Sequence, residues 1–148
     1  MSLKIKSMTI ALDLEGTLIS NAVSQFPRPG LYSFLDYCQQ NFSRIVIYTA
    51  VPQIYFRKIA KTLIDLQKVP DWFVNLEYIK WHGKYKDLTF IPNIKPDRII
   101  IIDDRAEYIK PEQKNRWISI REYSYPYSQS DRELDRIVGE LSKIDLTE

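Results

Sequence analysis

Short apolar runs alternate with segments of helical period along this chain. Ile10–Leu12 is read as a first strand, ending on Asp13. Pro29-Gly30 then opens a helix whose Leu31, Phe34, Leu35, Cys38 and Phe42 share one face. Arg44–Thr49 is β-branched and apolar past its first residue, the pattern of a strand buried on both faces. A second helical pattern follows Pro52 through Ile59, Ala60, Leu63 and Ile64, and breaks before Pro70. Trp72–Leu76 reads as a weaker third strand, Arg98–Asp103 as the strongest strand in the chain, and Trp117–Ile120 as a fifth. Ser130 and Glu133 have capping-box spacing ahead of a helix with Leu134, Ile137, Val138 and Leu141 on its apolar face.

Strands alternating with helices in this way predict an α/β fold with a parallel sheet covered by helices on both faces. In such folds ligands bind beyond the carboxyl ends of the strands, near the point where strand order reverses. Composition adds limits. At 148 residues, 45% hydrophobic and 27% charged, the chain has the makings of one folded domain over residues 1–148. Residues 1–7 read as a leader, with Met1-Ser2-Leu3 partly introduced by cloning, because the apolar pattern starts near Ile5. The net charge of +2 is too small to argue for nucleic acid or an acidic membrane. No apolar run approaches the roughly 20 residues of a membrane span, and no signal-peptide core is present. The single cysteine, Cys38, cannot form an internal disulfide and reads as core filler. A reduced, cytoplasmic setting is expected.

Candidate chemistry gathers at the strand ends. Asp13 and Glu15 follow the first strand, Thr49 ends the second, and Asp103-Asp104 close the run of isoleucines, with Lys86 in the preceding loop region "WHGKYKDL". Carboxylates collected on one edge repel one another unless a cation lies among them. Hard oxygen ligands suit Mg²⁺, which keeps waters and accepts substrate phosphate. A hydroxyl and an ammonium on the same edge are donors that a phosphate needs, and an Asp held there can attack phosphorus. The parts point to phosphoryl transfer.

The motifs resemble a known family. "DLEGTL" is similar to the DxDx[TV] signature of the haloacid dehalogenase (HAD) superfamily, and "VIYTA", "KYKDL" and "IIIIDD" resemble its second, lysine and acidic motifs in the same order. "RPGLYSFLDY" and "DRIIIIDDRAEYI" resemble the small CTD-phosphatase, or NLI-interacting-factor-like, branch, over roughly residues 8 to 142. The resemblance implies a Rossmann-like domain with a five-stranded sheet in the order 5-4-1-2-3. It implies a phosphomonoesterase using Mg²⁺ and an aspartyl-phosphate on Asp13, with a phosphorylated protein or small molecule as partner. Glu15 would be the general acid/base, with its main-chain carbonyl on the metal. Thr49 and Lys86 would meet the phosphoryl group, Lys86 also orienting Asp13. Asp13, Asp103 and Asp104 would complete the metal site.

The chain departs from that pattern at Glu15, where the family has Asp, and at Gly16, where the CTD branch usually has Glu. An extra methylene moves the carboxyl by about 1.5 Å, against a proton-transfer window of about 2.6–3.2 Å. Two readings therefore stand: a phosphatase, or a weak or inactive phosphate-binding module that keeps the fold. Only ten residues, Ser20 to Pro29, follow the first motif before the first helix. Nothing between Thr49 and Lys86 has the length of a folded cap domain, so an open site is expected. Lys80, Lys84 and Lys86 with Trp81 and Tyr85 have the look of an RNA-contacting patch, but the chain lacks the basic excess of such domains. His82 reads as a solvated loop residue, the tyrosines at 123, 125 and 127 as a packed surface loop, and Glu133, Asp135 and Glu140 as a solvated helix face. A response-regulator receiver would carry its acidic pair on the first strand rather than the fourth.

Overall fold

The computed structural model describes residues 7–144, so six residues of the expected leader lie outside the described residues. Its strands are β1 (Thr9–Leu12), β2 (Arg44–Ile47), β3 (Glu77–Tyr78), β4 (Ile99–Asp103) and β5 (Trp117–Ser119). All pair in parallel, in the order β3-β2-β1-β4-β5, which is the expected order read from the other edge. The α-helices are α1 (Leu31–Asn41), α2 (Gln53–Asp65) and α3 (Glu133–Ile144). None of the described helices is long and apolar enough to cross a membrane.

The order explains how the two faces are covered. From β1 to β3 the chain steps one way across the sheet, and from β4 to β5 the other. Right-handed crossovers place those two sets of connections on opposite faces. Leu35 and Cys38 of α1, Phe56 and Leu63 of α2, and Leu134 and Ile137 of α3 all join one buried cluster with Ile10, Leu12, Ile47 and Ile102. The second cluster, around Ala11, Val46, Tyr48 and Ile101, is roofed by loops and single 3-10 turns such as Leu88–Phe90 and Ala106–Tyr108. Both faces are helical in part, but only one carries α-helices. Cys38 is fully buried on α1, and burial pushes its thiol well above the usual range, which suits core filler.

Two elements differ from expectation. Residues Asp71–Asn75 form a 3-10 helix, and the third strand is the shorter Glu77–Tyr78. Pro70 precedes the turn and its carbonyl accepts from the Phe73 amide, so Phe73 turns into the core beside Phe56 instead of extending. At the start of α3 the capping carboxylate is that of Asp131, which accepts from the Glu133 amide at 3.1 Å. Ser130 pairs with Ser128 instead, and Glu133 is drawn to Arg136 and the Arg121 amide rather than lying fully in solvent.

Candidate active site

Register assembles the site. Leu12 pairs with Ile47 on one side and Ile102 on the other, so Asp13, Tyr48 and Asp103 leave the sheet at one level. The Asp13 amide still donates to the Ile102 carbonyl (3.1 Å), and the Tyr48 amide to that of Leu12 (2.8 Å). Three chain segments are thus held rigidly up to the residues whose side chains diverge.

The Asp13 carboxylate is divided between two donors. Lys86 Nζ donates to Oδ1 at 2.9 Å, and Thr17 Oγ1 donates to Oδ2 at 2.9 Å. Thr17 stands four residues on, at the end of a turn closed by the Leu18 amide on the Leu14 carbonyl. Lys86 also donates to Asp103 Oδ2 at 2.5 Å and lies 4.8 Å from the centre of the Tyr108 ring. Its own amide donates to the Tyr108 carbonyl, which fixes the lysine loop under β1 and β4. The other Asp103 oxygen accepts from the Arg105 amide at 2.9 Å. Asp13, Asp103 and Asp104 each offer an oxygen within 4.8 Å of the others.

Three carboxylates against one ammonium leave excess negative charge in a buried place. Burial, then the hydrogen bond to Asp13 and its charge, push the Asp104 carboxyl up to about 8. Burial and then the charge of Asp13 raise Asp103 to about 6, although Lys86 and the Arg105 amide pull the other way. Burial pulls the Lys86 ammonium down, but its two carboxylate partners outweigh this and hold it above its usual range. The cluster is short of positive charge, the condition a divalent cation relieves.

The remaining expected residues fall around this centre. Gly16 has φ +76°, and a Cβ there would overlap the Asp104 carboxylate. That close approach gives a physical reason for glycine at the position. Thr49 is buried and its Oγ1 accepts from the Val51 amide at 3.1 Å, which leaves the hydroxyl hydrogen for a ligand. The Glu15 carboxylate stands apart from the three-acid cluster. It accepts from the Ala22 amide at 2.6 Å, and an Asp at this position would be one methylene shorter. Above the acids lies an open cleft of about 440 Å³ whose walls include Glu15, Thr49, Asp104 and the tyrosines at 108, 123 and 125. Lys86 lies beneath Asp13 rather than in the cleft wall.

Periodicity gave no hint of Arg28. It is fully buried and holds Asp131 in a bidentate pair (2.9 and 3.0 Å), while donating to the carbonyls of Gly16 (3.0 Å), Thr17 and Arg121. One guanidinium therefore ties the turn behind Asp13 to the start of α3. A lone arginine between two prolines looks like surface charge in a sequence, because charged residues are buried only when paired, and its partner is 103 residues away. Thr17 carried a better signal, being part of "DLEGTL" itself.

A family model described as NLI interacting factor-like phosphatase matches residues 8–148. No curated protein matches the sequence. Twelve solved chains match this protein's structure. Among them is the fission yeast RNA polymerase II CTD phosphatase Fcp1, an Arg-to-Ala variant bound to beryllium fluoride. It is 13% identical, with a TM-score of 0.57 over 97% of this chain and 52% of that one. The present chain thus spans about half the length of that structure, and the likeness is one of fold.

Proposed function

Since the chain belongs to the NLI interacting factor-like phosphatase family, we propose that it is a Mg²⁺-dependent phosphomonoesterase working through an aspartyl-phosphate on Asp13. The observation that carries this reading is the division of the Asp13 carboxylate between Lys86 and Thr17, with two further carboxylates beside it. The donor set fits the metal, since hard carboxylate oxygens close together and short of counter-charge suit Mg²⁺. Asp13, Asp103, Asp104 and the main-chain carbonyl of Glu15 would hold it, and when bound it would offset charge on the phosphoryl oxygens.

The chain's own groups then have defined tasks. Lys86 and Thr17 fix the Asp13 carboxylate, and one of its oxygens attacks phosphorus. The ester P–O bond breaks, and its electron pair leaves on the alcohol oxygen, which takes a proton from Glu15. Thr49 donates its free hydroxyl hydrogen to a phosphoryl oxygen. A water then attacks phosphorus and gives its proton to Glu15, releasing phosphate and restoring the Asp13 carboxylate. The open cleft favours a phosphorylated side chain on a protein over an enclosed metabolite, and a polymerase-tail phosphoserine is the first substrate to try.

The hydrogen bond from the Ala22 amide to Glu15 favours a second reading. An acid tied to a loop is a poor proton donor, and a chain with such an acid would bind phosphate without efficient turnover. Hydrolysis of p-nitrophenyl phosphate with and without Mg²⁺, beside an Asp13→Asn control, separates the two. Metal-dependent turnover lost in the variant supports the phosphatase. Beryllium fluoride binding without turnover supports the binding module.

A further inference from the structure

The segment "KWHGKYK", residues 80–86, supplies Lys86 to the acids, while its other residues take no part in the proposed reaction. Four of them, Lys80, Trp81, His82 and Gly83, line a second open cavity of about 320 Å³ together with Tyr78. Thr49 and Ala50 line both this cavity and the cleft above the acids, so the two adjoin just past the end of β2.

The loop is firmly built. Trp81 Nε1 donates to the Thr49 carbonyl at 2.8 Å, and the indole packs edge-on against Tyr48 and Tyr108. Gly83 turns with φ +84°, and a Cβ there would meet nothing within 4 Å, so the turn opens outward. Neither Lys80 nor His82 forms an ion pair or side-chain hydrogen bond among the described residues, and the His82 ring lies against that of Phe90. Across the cleft the wall holds Glu15 and Glu122, while Arg105 there is already paired with Glu107 at 3.3 Å. An anionic substituent is therefore repelled on the Glu side and attracted on the Lys80 side.

We propose that this cavity is a subsite for a second anionic group, phosphate or carboxylate, on a residue neighbouring the phosphorylated one in a polypeptide substrate. The inference rests on the phosphatase reading for its first phosphate. Thr49 marks the border: its hydroxyl serves the phosphate being transferred, and Lys80 and His82 serve the other anion. Lys86 is buried, which removes one of the three lysines an RNA strand would need and favours a peptide.

The test compares peptides with one phosphoserine against versions with a second phosphoserine, or a glutamate, at neighbouring positions on either side. Wild type should favour the doubly anionic peptides about three- to fivefold in KM, the scale of an exposed ion pair. The phosphoserine and glutamate arms tell which source of charge the subsite takes. Lys80→Glu should reverse the preference and Lys80→Ala with His82→Ala abolish it, with p-nitrophenyl phosphate turnover unchanged. The same ranking should appear in calorimetric binding to Asp13→Asn, which measures the subsite even if wild type hydrolyses nothing. Loss of all turnover with the ranking intact sinks the phosphatase and spares the subsite. Equal binding of both peptide classes, a ranking indifferent to Lys80, or tighter Lys80-dependent binding of a 5′-phosphorylated RNA overturns the proposal.

Discussion

Lys86 and Asp103 form a fully buried ion pair, Nζ to Oδ2 at 2.5 Å, and the same ammonium reaches Asp13 at 2.9 Å. Both contacts hold only because β1 and β4 end at one level above the lysine loop. Breaking a buried pair from one side leaves charge without a partner, at a cost of about 3–5 kcal/mol. Lys86→Met should therefore lose about that much stability at neutral pH without metal, read from urea denaturation, and millimolar Mg²⁺ should restore part of it. A loss no larger than that of a surface lysine would remove the pair from the account of the site.

Metal-free stability should fall with rising pH. Asp103 and Asp104 are raised from 3.8 to about 6 and about 8, so folding favours their protonated forms. That stabilisation is complete below the unfolded value and is lost as pH climbs through the folded values. Melting temperature without Mg²⁺ should decline between about pH 4 and pH 8. A Mg²⁺ held there would take the ionised acids, so its affinity should rise over the same interval with release of protons. At a hundredfold excess over its Kd it should stabilise the fold by about 2.7 kcal/mol. Asp103→Asn should remove most of that shift, as thermal melts with and without Mg²⁺ will report.

Gly16→Ala puts a methyl group where the Asp104 carboxylate lies, at a φ of +76°. The left-handed backbone alone costs a non-glycine residue about 1–2 kcal/mol. Displacement of Asp104 should add a loss of Mg²⁺ affinity. Calorimetric titration of Mg²⁺ into the variant measures that second effect apart from the first.

Glu15 is one methylene longer than Asp, and its carboxylate accepts from the Ala22 amide. If Glu15 is the working acid, Glu15→Asp should draw the carboxyl back from the leaving group and lower turnover of alkyl phosphates, which need a proton. A rise would mean that the Ala22 bond restrains Glu15. Glu15→Gln should lower turnover further, by about 10²–10⁴-fold. Both should matter much less for p-nitrophenyl phosphate, because nitrophenolate leaves unprotonated. If steady-state rates show no difference between the two substrate classes in either variant, Glu15 is not the acid.

Arg28→Lys keeps the charge but not the fork that spans Asp131 and three carbonyls. Hydrogen bonds to charged groups are worth about 1.5–3 kcal/mol each, so a loss of at least ~2 kcal/mol in chemical denaturation is expected. Phosphatase activity should fall with it, because the turn carrying Gly16 and Thr17 is anchored there.

What the sequence by itself determined is what depends on local pattern. Continuous apolar runs made β1, β2 and β4 legible, and three- and four-residue spacing did the same for the helices. The acids at strand ends followed, because a buried strand that terminates in Asp13 or Asp103 must bring it out at the sheet edge. Tertiary structure alone decided how those groups meet. Trp72–Leu76 has a strand-like composition, yet the packing of Phe73 on Phe56 selected a 3-10 turn. The burial of Lys86 beneath Asp13, the space that Gly16 leaves for Asp104, and the span of Arg28 to Asp131 all join residues distant in the chain. Hydrophobic periodicity reports which side of an element faces the core. Which buried charge finds which partner is settled only when separate elements pack, because burial is tolerable for each only in the presence of the other.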